Sequence, residues 1–439
     1  MGSEMCIRDR SGERDPGPNH VSRAVNVLRP FPGLVVNPAW VDRVTTGPYD
    51  AYSPTQRAAI AEANPYSFLN VTRSQEDVPP GRRDDIDGLI AECVESMQRI
   101  YDAGAYVPHD VPSLFLYRLA TADHVQTGIM GLVPVTEPGD RRVLRHEAVR
   151  PGRANLLTRH LLEVGMSSSP ISLTYRTDDD LDAVVAECCN DDPVLESTSD
   201  GVHQMVWAVS GADADNLANA LGERPLYVTD GHHRLAAAVE ARTRNSCLAD
   251  DHPLQWTQAV LFPDAEMLVL PFHRRVGDRA RRSADELVDA LSGVGDLVPC
   301  PSIDEARPSG PGTVGVYLAG RWFSMGLPPA NSRRAVDLLD VARLQDGVLA
   351  PVFGIEDPGS DPMIDYVPEP VGIDALVERC DADSRVGFIV HATSVAEMMA
   401  VADEDGLMPP KSSYFEPKPR SGVFVRRLDR ETSSGTTTA

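Results

Sequence analysis

The chain has 439 residues, 42% of them hydrophobic and 24% charged, which is the composition of a soluble globular protein large enough for two or three domains. Its formal net charge of -24 opposes binding to nucleic acid and to anionic membranes. The seven cysteines include no C-x-x-C pair, and no apolar run reaches the ~18 residues that span a bilayer. We therefore predict a cytoplasmic protein that binds small molecules and neither nucleic acid nor membrane.

Apolar spacing, caps and turn residues predict alternating helices and strands. In chain order, the predicted elements are a strand at 25–28, a helix at 55–63, a strand at 67–71, a helix at 84–103, paired strands at 114–120 and 126–135, a helix at 155–164, a strand at 171–175, a helix at 181–189, a strand at 203–209, a helix at 212–221, a strand at 226–228, a helix at 235–241, paired strands at 257–262 and 267–272, a helix at 284–291, a strand pair within 312–327, a helix at 332–345, a strand at 363–367, a helix at 373–379, a strand at 386–391 and a helix at 395–403.

This alternation is typical of a mixed α/β fold. A change to charged composition near 277–283 marks a domain boundary. We therefore predict a disordered, non-native leader at 1–20, an N-terminal α/β region at 21–278, a C-terminal α/β region at 279–429 and a disordered tail at 430–439.

One strand–turn–helix junction carries a dense cluster of polar side chains. Residues 230–234 (Asp-Gly-His-His-Arg) lie between the apolar strand at 226–228 and the helix-forming run at 235–241. Gly231 permits a tight bend, and a helix that starts after it directs free backbone N–H groups and its positive dipole end to the same place. Two imidazoles and a guanidinium there favour an anionic ligand such as phosphate. The alternative is an ordinary helix start, capped by Asp230, whose basic side chains are only solvated.

The chain's only two lysines form a second cluster. Of 41 basic residues, Lys411 and Lys418 alone are lysines, and both lie in the proline-rich segment 408–422. Its prolines predict a stiff loop, in which ammonium groups, hydroxyls and a carboxylate are held in place. Because the rest of the chain uses arginine, we interpret the two lysines as ligands of an anion. The alternative is a surface segment that ties down the C-terminus.

Three further motifs are weaker signals. Residues 145–147 (Arg-His-Glu) are followed by two more arginines. Residues 272–275 (Phe-His-Arg-Arg) end a predicted strand, and ligands of open α/β sheets gather at strand carboxyl ends, so we expect this motif to face the same crevice as residues 230–234. Residues 47–50 (Gly-Pro-Tyr-Asp) and 64–67 (Asn-Pro-Tyr-Ser) are, by themselves, only turns.

Taken together, these motifs resemble those of one bacterial and archaeal family, domain-of-unknown-function family 1015. The shared motifs are, in order, 29–31 (Arg-Pro-Phe), 47–50, 64–68 (Asn-Pro-Tyr-Ser-Phe), 145–147, 230–234 and 408–418 (Met-Pro-Pro-Lys-Ser-Ser-Tyr-Phe-Glu-Pro-Lys). The resemblance runs from about Arg29 to Phe424, which is nearly the whole predicted fold. The family pattern has proline at the position of Gly47 and usually threonine at that of Ser413, which keeps a hydroxyl.

The motif at 230–234 in turn resembles the signature of the ParB/sulfiredoxin superfamily. That superfamily includes nucleotide hydrolases, sulfiredoxin and free-serine kinases. The resemblance implies a ParB/sulfiredoxin-like core elaborated by N- and C-terminal α/β segments, with nucleotide phosphates bound at the helix start.

The resemblance and the residue patterns predict a nucleotide-dependent kinase. Its predicted substrate is a small anionic molecule, namely an amino acid such as serine. The predicted catalytic residues are Asp230, Glu147 and His233, and Asp50 is a weaker candidate for the base. The predicted phosphate or nucleotide ligands are Gly231, His232, His233, Arg234, His273, Lys411, Ser412 and Lys418. The predicted substrate contacts are Tyr49, Asp50 and His146. We expect Mg²⁺ and ATP or ADP as cofactors and assign no metal ligand.

Two other functions remain open from the sequence. The same cations would hold a phosphomonoester in a phosphatase or nucleotide hydrolase. The third possibility is a non-enzymatic ParB-like module that binds DNA or a nucleotide. The net charge of -24 and the lack of a helix-turn-helix pattern or a basic arm argue against DNA.

Overall fold

A computed structural model of the chain describes residues 26–428, apart from residues 168, 246, 247 and 250, and describes Asp50 by its backbone alone. The predicted leader at 1–20 and the predicted tail at 430–439 lie outside the described residues.

The strands are β1 (Phe31–Val36), β2 (Tyr106–Ala120), β3 (Val125–Pro134), β4 (Val143–Leu144), β5 (Met166–Ser167), β6 (Ile171–Tyr175), β7 (Leu195–Ser199), β8 (Val202–Ser210), β9 (Leu226–Asp230), β10 (Trp256–Pro263), β11 (Leu268–Leu270), β12 (Phe272–Val276), β13 (Asp296–Cys300), β14 (Thr313–Leu318), β15 (Arg321–Gly326), β16 (Ile364–Pro368), β17 (Val386–Val390), β18 (Tyr414–Glu416) and β19 (Phe424–Arg427).

The helices are α1 (Val41–Val44), α2 (Pro54–Ala63), α3 (Ile86–Asp102), α4 (Pro151–Val164), α5 (Asp179–Cys188), α6 (Gly211–Leu221), α7 (His232–Arg244), α8 (Ala284–Ser292), α9 (Ile303–Ala306), α10 (Ala335–Leu338), α11 (Asp340–Leu344), α12 (Ala350–Phe353), α13 (Ile373–Asp383) and α14 (Val395–Asp403). Short 3-10 helices occupy Tyr49–Ala51, Phe68–Asn70, Gln75–Asp77, Pro80–Arg82, Pro253–Gln255, Asp264–Glu266 and Glu369–Val371, and a π-helix occupies Gln345–Leu349. Within the described part of the chain, no helix is both long and apolar enough to cross a membrane.

Two sheets organise these elements. The larger has eleven strands, nine of them in the order β4-β9-β6-β10-β3-β2-β1-β19-β5, with β8 paired to β2 and β7 to β8. It is mixed, because β9 runs parallel to β4 and antiparallel to β6. The smaller sheet has six strands in the order β13-β15-β14-β17-β12-β16, all paired antiparallel. The predicted mixed α/β fold is confirmed.

The chain passes from one sheet to the other and back. The smaller sheet begins with β12 at Phe272, before the boundary that we placed at 278/279, and β19 returns to the larger sheet between β1 and β5. Between these crossings, β11 and β18 pair as a separate two-stranded ribbon. The C-terminal segment therefore completes the sheet that the N-terminal segment starts, and the division at 278/279 stays a prediction.

Apolar side chains fill both faces of the larger sheet. In β2, Phe115 and Tyr117 belong to one buried cluster while Leu114 and Leu116 belong to the other, as strand alternation requires. Helix α3 packs in the first cluster, and helices α5 and α6 pack in the second. A sheet covered on both sides leaves its strand ends as the accessible places for a polar site.

Two predicted strands near the N-terminus are wrong. No strand forms at residues 26–28, and the first strand, β1, lies instead at Phe31–Val36, a segment that contains Pro32. Pro32 is tolerated because the pairing of β1 with β2 is irregular between Phe31 and Gly33. The strand predicted at 67–71 is a 3-10 helix, since the Ser67 hydroxyl accepts the N–H of Leu69 and caps a tight turn.

Two further predictions fail for tertiary reasons. The predicted pairing of 257–262 with 267–272 does not occur, because β10 pairs with β3 and β6 while the second segment divides into β11 and β12 of other sheets. The helix predicted at 332–345 is interrupted at Leu339, whose ψ of 137° is extended.

Phe424 is the aromatic anchor of the returning strand β19. Its ring lies 5.6 Å from that of Phe115 and 5.3 Å from that of Tyr117, measured between centroids. We expect Phe424→Ala to lower the free energy of unfolding by about 3–5 kcal/mol, because the cavity opens in a fully buried cluster. Urea unfolding followed by tryptophan fluorescence measures this loss.

The matched control is Val298→Ala on β13, where the residue is 50% exposed. This variant should change the free energy of unfolding by less than about 0.5 kcal/mol. An equally small change for Phe424→Ala would show that the larger sheet does not depend on its C-terminal strand.

Candidate functional site

The site lies where two neighbouring strands of the larger sheet end side by side. Because β4 and β9 are parallel, residues 145–147 after β4 lie beside Asp230 at the end of β9. The backbone N–H of His146 points at Nε2 of His232, 3.4 Å away. The two imidazole rings pack edge to face with centroids 4.6 Å apart. The motifs at 145–147 and 230–234 therefore form one cluster.

The turn between β9 and α7 requires glycine. Gly231 has a φ of +98°, in the left-handed region that side chains disfavour. A Cβ there would lie 2.9 Å from Cγ2 of Ile171 and 3.0 Å from Nε of Arg234. This turn starts α7 at His232 directly after the strand, so the free N–H groups and positive dipole of the helix face the site.

The second predicted cluster reaches this strand end from the far end of the chain. We define the lysine loop as residues 408–422. Nζ of Lys418 lies 3.3 Å from Oδ1 of Asp230, and Met408 donates its backbone N–H to the carbonyl of His146 at 2.8 Å. β18 within the loop is also held by its pairing with β11. The lysine loop and residues 230–234 thus lie together, as two walls of one site.

Asp230 is the negative centre of this arrangement. Lys418 contacts one carboxylate oxygen and Arg234 donates to the other. Burial opposes ionisation of Asp230, but Lys418 and Arg234 outweigh it and lower the pKa of this carboxyl to about 2. Arg234 is therefore paired with Asp230, and its role as a phosphate ligand stays a prediction.

The imidazoles of the motif are neutral, which corrects our picture of a cationic histidine pair. Burial lowers the pKa of His146 to about 4 and that of His232 well below its usual value. Burial, with the nearby charges of Arg153 and Arg150, lowers the pKa of His233 to about 4.

His232 and His233 each have a defined tautomer. Nε2 of His233 accepts the backbone N–H of Arg150 at 3.0 Å, and Nε2 of His232 faces the N–H of His146. From these partners we assign the proton to Nδ1 in both rings. Each ring therefore offers an uncharged N–H donor to its surroundings.

Glu147 is the site's second carboxylate. Its Oε2 lies 3.6 Å from Nδ1 of His232, and its side chain is 50% exposed. Loss of hydration raises the pKa of Glu147, while Lys411 opposes the shift and Asp230 adds to it. An accessible carboxylate with a raised pKa fits a general base better than Asp230 does, because the pKa of Asp230 is lowered.

Two aromatic rings carry the two lysines. Nζ of Lys411 stands 5.1 Å from the ring centroid of Phe272, and Nζ of Lys418 stands 5.1 Å from that of Tyr414. These rings pack edge to face with centroids 5.4 Å apart. Among the described side chains, no carboxylate forms an ion pair with Lys411. Neither ring was among the predicted site residues, although Phe272 belongs to the motif at 272–275 and Tyr414 to that at 408–418.

His273 is not available to a ligand. Its side chain is 1% exposed in the smaller sheet, with Nε2 2.6 Å from Oε2 of Glu369. Nδ1 faces the backbone N–H of Val390 at 3.4 Å. Both ring nitrogens thus have structural partners, which corrects the prediction that His273 binds phosphate.

Two more predicted ligands are used inside the protein. His146 is only 2% exposed and packs against the ring of His232, so it has little surface left for a substrate. The hydroxyl of buried Ser412 donates to the carbonyl of Pro409 at 2.7 Å and stiffens the lysine loop. Both assignments correct the sequence predictions.

Tyr49 belongs to a separate cluster. Its hydroxyl donates to Oδ2 of Asp77 at 2.8 Å, and the guanidinium of Arg57 lies 3.7 Å from its ring centroid. Arg57 also forms a buried ion pair with Asp77 at 2.7 Å. This role for Tyr49 is structural and replaces the predicted substrate contact. The side chain of Asp50 lies outside the described part of the chain.

An Mg²⁺ ion has few protein ligands available here. Among the residues that the structure describes, no group of three or more His, Cys, Asp or Glu side chains is arranged around a metal position. Asp230 already contacts Lys418 and Arg234 through its two oxygens.

The ion pairs of Asp230 predict a pH-dependent stability. With a folded pKa lowered to about 2, Asp230 stays ionised in the folded protein where the unfolded chain takes up a proton. The stability that it contributes is complete above pH ~4 and is lost as the pH falls towards 2. We therefore expect Asp230→Asn to be less stable than the wild type at pH 7 and to approach it near pH 2.

Urea unfolding at pH 7, 4, 3 and 2.5 measures this difference. Asp215→Asn, at an exposed position of α6, is the matched control for loss of one carboxylate. A difference between Asp230→Asn and wild type that does not shrink at low pH would contradict the two ion pairs.

The comparisons with known proteins place the chain in a family. No protein with a curated description matches the sequence. Among solved structures, it is similar to free serine kinase in complex with AMP, with 12% identity over 65% of this chain and 86% of that chain and a TM-score of 0.35. A conserved hypothetical protein from Pyrococcus furiosus matches with 12% identity over 68% and 95% and a TM-score of 0.36. SbnI with C-terminal truncation from Staphylococcus aureus matches with 11% identity over 67% and 85% and a TM-score of 0.35.

The sequence itself matches the family described as "Protein of unknown function (DUF1015)" over residues 28–342. This match spans more than two thirds of the 439 residues. It also includes the motifs at 47–50, 145–147 and 230–234. The chain therefore belongs to the DUF1015 family, as those motifs predicted.

Proposed function

We propose that this protein is a nucleotide-dependent kinase of a small molecule, with Glu147 as the base. Phosphoryl transfer needs positioned phosphates, neutralised charge and a group that accepts the proton of the acceptor hydroxyl. The observation that carries the proposal is the position of Glu147. It lies 3.6 Å from His232 at the α7 start, and its pKa responds to Lys411 and Lys418 of the facing loop.

The charge at this place suits phosphate. Asp230 faces the two cations Lys418 and Arg234, and Lys411 adds a further cation that forms no ion pair with a described carboxylate. The N-terminus of α7 and Nδ1–H of His233 add donors that carry no full charge. Phosphate oxygens are strong acceptors, and they gain most from this mixture of cations and oriented N–H groups.

The ligand classes follow from this arrangement and from the motif. The resemblance of residues 230–234 to the ParB/sulfiredoxin signature supports ATP or ADP as the phosphoryl donor and a hydroxyl amino acid such as serine as the acceptor. An Mg²⁺ ion would be held by phosphate oxygens and water and would neutralise phosphate charge. Asp230 then orients Lys418 and Arg234, and its low pKa makes it too weak a base for the acceptor.

Lys411→Ala tests the phosphate site. Because Lys411 is a cation without a described ion-pair partner, its loss should weaken ADP binding about tenfold or more in the presence of Mg²⁺. Isothermal titration calorimetry measures the affinity.

The matched control for this test is Arg321→Ala, which removes one cation from β15 of the smaller sheet, where Arg321 pairs with Asp285 at 3.0 Å. This variant should bind ADP like the wild type. No binding of ADP or ATP to the wild type would refute the proposed function.

Glu147→Gln tests the proposed base. The amide keeps the size of the side chain but cannot take a proton, so phosphorylation of serine should fall by about 10²–10⁴-fold while ADP binding persists. In the wild type, the rate should rise with pH through the raised pKa of Glu147. This rise should be absent in the variant. Phosphorus NMR of serine with ATP or ADP follows the product directly.

Glu187→Gln, at an exposed position of α5, serves as the control and should leave the rate unchanged. Release of phosphate from phosphoserine without any nucleotide would instead assign the site to a phosphatase. An unchanged rate for Glu147→Gln would remove Glu147 from the mechanism.

A further inference from the structure

Arg274 is a buried guanidinium without an acidic partner. It is 3% exposed, and its Nη1 donates to the backbone carbonyl of Phe272. Its guanidinium lies 5.5 Å from the ring centroid of Tyr366. Over the described ranges of the chain, no carboxylate lies within ion-pair distance of it, and Nε and Nη2 have no hydrogen-bond acceptor. Burial lowers the pKa of Arg274 to about 10, because the charged form is poorly solvated there.

The neighbouring basic residues of the same strand each have an acidic partner. Arg275 binds Asp365 at 3.1 Å and Asp383 at 2.6 Å. His273 lies on the same face of β12 as Arg275 and is paired as well. Arg274 lies on the opposite face of β12, and unlike His273 and Arg275 it has no acidic partner among the described residues for its buried charge. Such a charge is costly unless a ligand neutralises it.

Two neighbours of Arg274, Phe272 and Tyr366, connect it through further contacts to residues of the candidate site. It shares its strand face with Phe272, the ring on which Lys411 stands. Tyr366 donates its hydroxyl hydrogen to the carbonyl of Pro358. The carbonyl of the following residue, Gly359, accepts a hydrogen bond from the Arg150 side chain at 3.3 Å. Arg150 in turn donates its backbone N–H to His233.

We propose that Arg274 binds a second anionic group of the ligand that occupies the lysine loop and the α7 start. The ligand therefore carries two anionic groups, and a single phosphate does not fill the site. Nε–H and Nη2–H of one guanidinium form the fork that grips two oxygens of a phosphate or carboxylate. The second group is either the β-phosphate of ADP or the carboxylate of the acceptor. This inference rests on the proposed function and extends the site to the smaller sheet, with Arg274 in place of the predicted His273.

Arg274→Gln and Arg275→Gln form a matched pair for the test. Titrations use AMP, ADP, inorganic pyrophosphate and phosphoserine as probes. If the second group is a phosphate, Arg274→Gln should weaken the binding of ADP and of pyrophosphate about tenfold or more. If it is a carboxylate, the same substitution should instead weaken the binding of phosphoserine. AMP should bind both variants like the wild type. Equal affinity of Arg274→Gln and wild type for all four probes, or an equal loss for AMP, overturns the inference.

Ligand-free thermal unfolding separates binding from a structural role. Because Arg274 is uncompensated, Arg274→Gln should melt at the same temperature as the wild type or higher. Arg275→Gln breaks two ion pairs and should melt lower, while its affinity for the probes is kept. A lower melting temperature for Arg274→Gln, like that of Arg275→Gln, overturns the inference.

The outcomes also separate this inference from the proposed function. If the wild type binds pyrophosphate through Arg274 but binds no nucleotide, the kinase proposal fails and the inference stands. If all four probes bind wild type and Arg274→Gln equally, the inference fails and the kinase proposal stands. A wild type that binds none of the four probes overturns both.

Discussion

The contact between Lys418 and Asp230 is the interaction on which the site depends. It joins two groups 188 residues apart in the chain, at a distance of 3.3 Å. The Lys418 side chain is only 9% exposed, so its charge is poorly solvated and gains from the carboxylate of Asp230. Together with Arg234, the pair compensates its own burial and holds the lysine loop against the α7 start. The pairing of β11 with β18 and the backbone hydrogen bond between Met408 and His146 also fix the loop in place.

The source of positive charge in the site differs from what the motif at 230–234 indicates. Its histidines are neutral, and its arginine is committed to Asp230. In our proposals, the charge that a ligand meets comes from Lys411 in the facing loop and from Arg274 in the smaller sheet. Both residues lie far from residues 230–234 in the sequence, so only the fold can bring these segments together.

The motifs shared with the DUF1015 family serve two purposes. Those at 145–147, 230–234 and 408–418 build the candidate site. Those near the N-terminus build contacts that stabilise the fold: Tyr49 packs with the buried pair Arg57–Asp77, and the Asn64 amide donates to the carbonyl of Arg43 at 2.7 Å. A motif that is specific enough to identify a family therefore does not by itself mark a ligand contact.

The sequence alone determined the mixed α/β class, the β9–Gly231–α7 junction, the family and the pairing of two basic clusters as one site. These follow from local spacing, from the demand for glycine at a positive φ and from the singular use of lysine. Only the tertiary structure decided which side chains are free to bind. Burial sets the neutral state of the histidines, and strand alternation turns His273 to Glu369 and Arg274 to the opposite face. Both depend on which elements pack together, because solvation and strand register are set by contacts between residues distant in the chain.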